Sequence, residues 1–175
     1  MQATIEKAKH IRLLILDVDG VLTDGLLYLA DDHFQQKGFH VHDGFGIKLL
    51  QQAGIKVAVI SAKKTAFVKQ RLNDLNIEHI YLGYEDKLPA YEEVKKVLQL
   101  DDAQIAYMGD DLPDLPVLRR VGLAIAVPHA SSTVKQHVDF VTEKTGGRGA
   151  VREICELVLQ AQDLYKDVIQ SYLTK

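Results

Sequence analysis

Short apolar runs alternate along this chain with stretches whose apolar residues recur every three or four positions. Ile11 to Leu16 is a short apolar run that ends in acid, the mark of a buried strand. Lys56–Ile60, Glu78–Leu82, Gln104–Met108 and Leu123–Val127 read the same way, and Phe140 marks a last short strand. Between them the spacing predicts helices over Asp43–Gly54, Lys64–Leu75, Asp86–Leu100, Leu112–Val121 and Ser131–His137. Asp43 is the expected N-cap of the first of these and Gly54 its stop. One long helix, Val151–Tyr172, is expected to close the chain. Strands alternating with helices imply βαβ units around a parallel sheet, and right-handed crossovers put helices on both faces. The fold class is therefore α/β: a single doubly wound parallel sheet over residues 1–175.

One segment departs from the alternation. Leu26–Leu29 and Phe34–Val41 are extended-looking runs around Asp31 and Asp32, which read as a β-hairpin over about residues 22–42, inserted directly after the first strand. Thr145–Gly149 reads as a flexible glycine-rich loop. Forty-three residues lie between Asp17 and Ser61 (positions 18–60) and 25 between Ser61 and Lys87 (positions 62–86), and the predicted elements use both spans. Neither has room for an inserted cap domain of the usual ~50 or more residues.

Composition narrows the function classes. Hydrophobic residues make up 47% and charged residues 26% of the 175, with a net charge of −3, so neither nucleic acid nor an anionic membrane is an expected partner. No apolar run approaches the ~20 residues that span a bilayer. The first nine residues hold no signal-peptide core, so a cytoplasmic location is expected. The single cysteine, Cys155, sits in an apolar helical stretch and reads as core.

The carboxylates carry the chemistry. The first strand ends in Asp17-Val18-Asp19-Gly20, and the strand from Gln104 ends in Gly109-Asp110-Asp111, with Asp114 one turn on. Ligands of open α/β sheets bind beyond the carboxyl ends of the strands, so both groups fall at one edge. Taken singly they read as caps and turns. Gathered in one cleft their charges repel, and a hard divalent cation with oxygen ligands, Mg²⁺, relieves the repulsion. Ser61 ends the Lys56 strand, where its hydroxyl can donate to a phosphoryl oxygen. Lys87 opens a helix at the end unfavourable to a cation, which an adjacent anion would explain; alone it reads as a solvated lysine.

In this order, Asp17-Val18-Asp19-Gly20-Val21, Ser61, Lys87 and Gly109-Asp110-Asp111-x-x-Asp114 resemble the four motifs of the haloacid dehalogenase superfamily of phosphatases over nearly the whole chain. The run to Thr23-Asp24-Gly25, Phe45 after His40-Val41-His42-Asp43-Gly44, and the missing cap are most similar to its capless sugar-acid phosphatases. The resemblance implies that Asp17 attacks phosphorus and that Asp19 protonates the leaving alkoxide and then activates water. It implies Mg²⁺ held by Asp17, the Asp19 main-chain carbonyl and Asp110, with Asp111 and Asp114 acting around them. It implies that Ser61 and Lys87 hold the transferring oxygens and that the assembly is a homotetramer. The substrate it implies is 3-deoxy-D-manno-octulosonate 8-phosphate, in lipopolysaccharide precursor synthesis, or else a related sialic-acid-type 9-phosphate.

For the sugar acid, Lys63, Arg71 and the segment His40, Val41, His42, Asp43 and Gly44 are the candidate contacts, with Asp19, Lys87 and Asp111; Arg148 is a candidate for a neighbouring copy's site. Ala62-Lys63 stands where such phosphatases often have Gly-Arg, keeping the charge and losing the planar fork. His40 and His42 share a strand face but lack a third ligand at zinc spacing. A receiver-type signalling domain also joins an Asp, a hydroxyl and a Lys on a parallel sheet, but gives Asp19 no purpose. A catalytically silent binding protein would need none of this set. The apolar hairpin residues Leu26 to Leu29 predict a self-association surface.

Overall fold

The computed structural model describes residues 1–29 and 35–174. Six parallel strands form the central sheet: β1 (Leu13–Leu16), β4 (Lys56–Ser61), β5 (His79–Leu82), β6 (Ile105–Gly109), β7 (Leu123–Ala126) and β8 (Phe140–Val141), in the spatial order β5-β4-β1-β6-β7-β8. The chain builds leftward from β1 through β4 to β5, then crosses back to β6, so the order reverses at β1 and opens a crevice there. β1 has partners on both edges and is buried throughout, which accounts for its unbroken apolar run. Leu16 pairs with Val59 on one side and Met108 on the other. Asp17 thus leaves the sheet between the ends of β4 and β6, with Ser61 and Asp110 one position further along.

The helices are α1 (Gln2–Ala8), α2 (Val41–Gln52), α3 (Ala66–Asp74), α4 (Leu88–Leu98), α5 (Leu115–Leu118), α6 (Ser132–Lys135), α7 (Ala150–Ala161) and α8 (Tyr165–Leu173). α7 packs against α1, α2 and α8, while α4 packs with α5. Among the described residues no helix is long and apolar enough to cross a membrane.

Several expectations are corrected. α2 starts at Val41 with His40 as N-cap, not at Asp43. The Asp43 carboxylate instead accepts from the Gly149 and Arg152 amides (3.2 and 2.8 Å), so it caps α7 rather than its own helix. The closing helix is two helices. At Asp163, with φ 59°, the Leu164 amide reaches back to the Leu159 carbonyl and the Asp163 amide to that of Gln160, a Schellman stop without glycine. The Leu112–Val121 helix shrinks to a 3₁₀ turn, Leu112–Asp114, followed by the short α5. α1 was not expected: its charged sequence hides a narrow buried strip of Thr4 and Ala8 against the body.

A tight helical turn, Val18–Leu22, separates β1 from the hairpin, which therefore does not follow the strand directly. The hairpin itself is short, β2 (Tyr28–Leu29) pairing antiparallel with β3 (Gln35–Gln36). The expected turn at Asp31 and Asp32 lies outside the described residues. Thr145–Gly149 is packed rather than loose: a Cβ on Gly146 would stand 1.8 Å from the Gly20 carbonyl oxygen, and the Gly147 amide donates to Val21 O (3.0 Å).

Candidate active site

Asp17 is held by the sheet itself, its amide donating to Met108 O at 3.0 Å. The chain then folds over in the Val18–Leu22 turn, where Asp19 is extended and Gly20 takes φ +85°. Thr23, wholly buried, fastens that turn: its hydroxyl donates to Val18 O (3.3 Å) and accepts from the Gly20 and Gly25 amides (3.4 and 3.3 Å). Gly20 is required by a close approach, since a Cβ there would stand 2.1 Å from Asp110 Oδ2. From the other strand end, Asp110 is thus drawn over the turn after Asp17.

Lys87 is not a solvated lysine. Its side chain is 3% exposed, and Nζ lies 2.8 Å from Asp17 Oδ1 and 2.6 Å from Asp114 Oδ1. It stands at the N-cap of α4, and the two carboxylates outweigh the unfavourable helix end. Burial alone would lower its pKa; Asp17 and then Asp114 reverse this, and the ammonium is held charged.

Asp114 is saturated. Besides Lys87, its Oδ1 accepts from the Tyr107 hydroxyl (2.6 Å), and its Oδ2 accepts from the Asp110 and Asp111 amides (2.9 and 3.1 Å). It therefore braces the loop after β6 and anchors Lys87. Tyr107 and Thr23 are the partners that sequence reasoning missed; Tyr107 reads as core from its apolar strand, and only its buried hydroxyl needed a partner.

Asp17, Asp110 and Asp114 bring oxygens within 4.8 Å of one another. Burial pushes the Asp17 carboxyl up to about 7, although Lys87 opposes the shift. Burial and then the charge of Asp114 push Asp110 up to about 7. The site thus concentrates negative charge beyond what one ammonium neutralises. Hard oxygen donors under mutual repulsion fit a divalent cation such as Mg²⁺. Asp17 and Asp110 keep lone pairs free for it, whereas all the described bonds of Asp114 are already made.

Around this charge lies a cleft of about 270 Å³ lined by Asp17, Asp19, Ser61, Lys63, Lys87 and Asp110, with Asp111 and Asp114 beside them. Ser61 is buried; its hydroxyl accepts from the Lys63 amide (3.3 Å) and its carbonyl from the Gly83 and Tyr84 amides, which ties β4 to the loop leading to Lys87. The remaining candidates do not line this cleft. His40, His42 and Arg148 border a separate, larger groove of about 810 Å³ beside α7, to which none of the cleft residues contributes. Val41 is exposed, Asp43 is buried at the α7 terminus, and the Arg71 guanidinium sits against Gly44, where a Cβ would stand 2.5 Å from its Nη2. The chemistry, not the size of the groove, identifies the smaller cleft as the candidate site.

Comparison with known proteins agrees. Residues 84–154 match the family model described as haloacid dehalogenase-like hydrolase. The 3-deoxy-D-manno-octulosonate 8-phosphate phosphatase of Yersinia pestis is 47% identical over 159 residues, which are 91% of this chain and 85% of that protein. A haloacid dehalogenase superfamily (subfamily III A) hydrolase structure from Legionella pneumophila is 50% identical with a TM-score of 0.96, covering 100% of this chain and 96% of that one. The phosphatase of the same name from Moraxella catarrhalis, solved with magnesium, phosphate and 3-deoxy-D-manno-octulosonate, is 42% identical, with a TM-score of 0.95 and coverage of 98% and 99%.

Proposed function

The chain belongs to the haloacid dehalogenase-like hydrolases, among their 3-deoxy-D-manno-octulosonate 8-phosphate phosphatases, and from that premise we propose that it hydrolyses this sugar-acid phosphate through an aspartyl phosphate on Asp17. The observation that carries the reading is the joining of Asp17, Asp19, Asp110 and the doubly anchored Lys87 in one cleft.

An Asp17 carboxylate oxygen attacks phosphorus, and the bond from phosphorus to the sugar oxygen breaks. Asp19 gives its proton to the departing alkoxide. Asp19, now a carboxylate, takes a proton from water, whose oxygen attacks the same phosphorus and releases inorganic phosphate and Asp17. Mg²⁺, held by Asp17, Asp110 and the Asp19 main-chain carbonyl, would neutralise charge on the transferring oxygens. Lys87 and the Ser61 hydroxyl meet the remaining oxygens of the phosphoryl group. Lys63, at the rim, faces the carboxylate of the sugar acid, with Asp111 beside it. The reading extends to residues 1–175 as one catalytic domain, to a cytoplasmic location and to a homotetramer; the exposed apolar hairpin residues Leu26, Leu27, Tyr28 and Leu29 support the self-association.

The test is phosphate release from a panel of esters with Mg²⁺. The eight-carbon sugar-acid 8-phosphate should be turned over with the highest kcat/KM. Equal rates on it, a sialic-acid-type 9-phosphate and simple hexose phosphates would leave a general phosphatase only.

A further inference from the structure

A second lysine touches the catalytic carboxylates, and nothing in the four motifs accounts for it. Lys37 follows β3 at the return of the hairpin. Its side chain is 2% exposed, and its Nζ donates to Asp19 Oδ1, while the Asp19 side chain remains 34% exposed. Asp19 lines the cleft; Lys37 does not. The lysine therefore reaches Asp19 from the hairpin, with its side chain buried and outside the cleft lining. Burying an ammonium costs several kcal/mol unless it is well paired. Among the described residues its partner is the Asp19 carboxylate, which also lines the cleft.

We propose that Lys37 is a positioning residue for Asp19: it fixes the rotamer of that carboxyl group and so makes its aim at the scissile oxygen depend on the seat of the hairpin. The inference rests on Asp19 being the acid and base of the reaction. A carboxyl that is one-third exposed, as that of Asp19 is, has several staggered rotamers open to it. One charge-assisted hydrogen bond from a buried donor selects among them and leaves the second oxygen to face the ester. The Val18–Leu22 turn supplies the backbone of Asp19 and the hairpin supplies its side-chain anchor, so two elements define one catalytic position. A proton donor misplaced by about 1 Å loses much of its effect.

The test separates positioning from folding by the leaving group. The alkoxide of a sugar phosphate needs a proton to depart; the phenolate of p-nitrophenyl phosphate does not. Lys37→Met should lower kcat/KM for the sugar-acid phosphate on the order of tenfold or more, within the ~10²–10⁴-fold that a general acid contributes. For p-nitrophenyl phosphate the loss should stay within about threefold, because that leaving group draws little on the acid. Asp19→Asn should show the same selectivity, and the double variant should be no worse than Asp19→Asn alone. Equal losses on both esters for Lys37→Met, or none, beside a selective Asp19→Asn, would overturn the inference. An unselective Asp19→Asn would instead overturn the assignment of Asp19 on which it rests. Lys37→Arg repeats the test with the charge kept, should Lys37→Met not fold: a partial loss confined to the sugar phosphate is expected, and equal losses on both esters would again overturn it.

Discussion

Lys87 is held by two carboxylates with different tasks, and substitution separates them. Asp17→Asn leaves Asp114 to hold the ammonium, so the fold should survive while turnover falls on the order of 10⁴-fold or more, as when other nucleophiles are removed. Asp114→Ala removes the brace of Lys87, Tyr107 and two amides at once. Breaking such a buried pair costs about 3–5 kcal/mol, which urea unfolding would register as a lower midpoint. A variant as stable as the parent would show that Lys87 has another anchor. The raised carboxyls make a further prediction. Asp17 and Asp110, both near 7 without metal, bind protons more readily folded than unfolded. Their contribution to stability is full below the unfolded carboxylate range and is lost as the pH rises through about 7. Mg²⁺ replaces those protons, so its thermal stabilisation of the protein should be larger at about pH 8 than at about pH 6. Scanning calorimetry against a chelated sample decides this, and equal shifts at both values would contradict it.

At the scale of elements, the turn after β1 is the piece most exposed to a single change. Gly20→Ala would put a Cβ 2.1 Å from Asp110 Oδ2 at a positive φ, so either the turn or Asp110 must move. Mg²⁺ affinity, followed by calorimetric titration, should fall more than tenfold if Asp110 is displaced, about 1.4 kcal/mol by the usual conversion. An unchanged affinity would mean that the turn moves alone. This turn also shows why the elements were only partly legible in sequence. The buried strands were, because β1, β4, β6 and β7 carry apolar runs that no other element explains. The acid groups were, because parallel strands bring their carboxyl ends to one edge. The turn was not: Thr23 closes its backbone locally, but it also needs Asp110, far off in sequence, to crowd Gly20. The two-residue error at the start of α2 has the same origin, since Asp43 is spent on α7. Asp163 broke the last helix without the glycine or proline that would have announced it. Lys37 was invisible for a related reason, as one lysine among surface-like neighbours whose burial depends on where the hairpin returns.

For the whole molecule the open question is what covers the hairpin. Leu26, Leu27, Tyr28 and Leu29 are 51–71% exposed in one chain, four large apolar residues in sequence. An isolated two-stranded hairpin is marginal in water, and this one has only two-residue strands. Its apolar residues gain nothing from solvent, so packing against the same segment of other copies would both hide them and steady the hairpin. The catalytic consequence runs through Lys37, whose hold on Asp19 is only as firm as the hairpin that carries it. Leu27→Asp with Leu29→Asp places charge on this ribbon without touching the cleft or the central sheet. Sedimentation equilibrium at micromolar concentration should show the parent as a homo-oligomer, a tetramer on the proposed reading, and the double variant as smaller species. kcat/KM for the sugar-acid phosphate should fall with assembly, and more steeply than that for p-nitrophenyl phosphate, since the loosened part is the seat of the general acid. A double variant that sediments as a monomer yet keeps full activity on both esters would show that the hairpin positions Asp19 unaided.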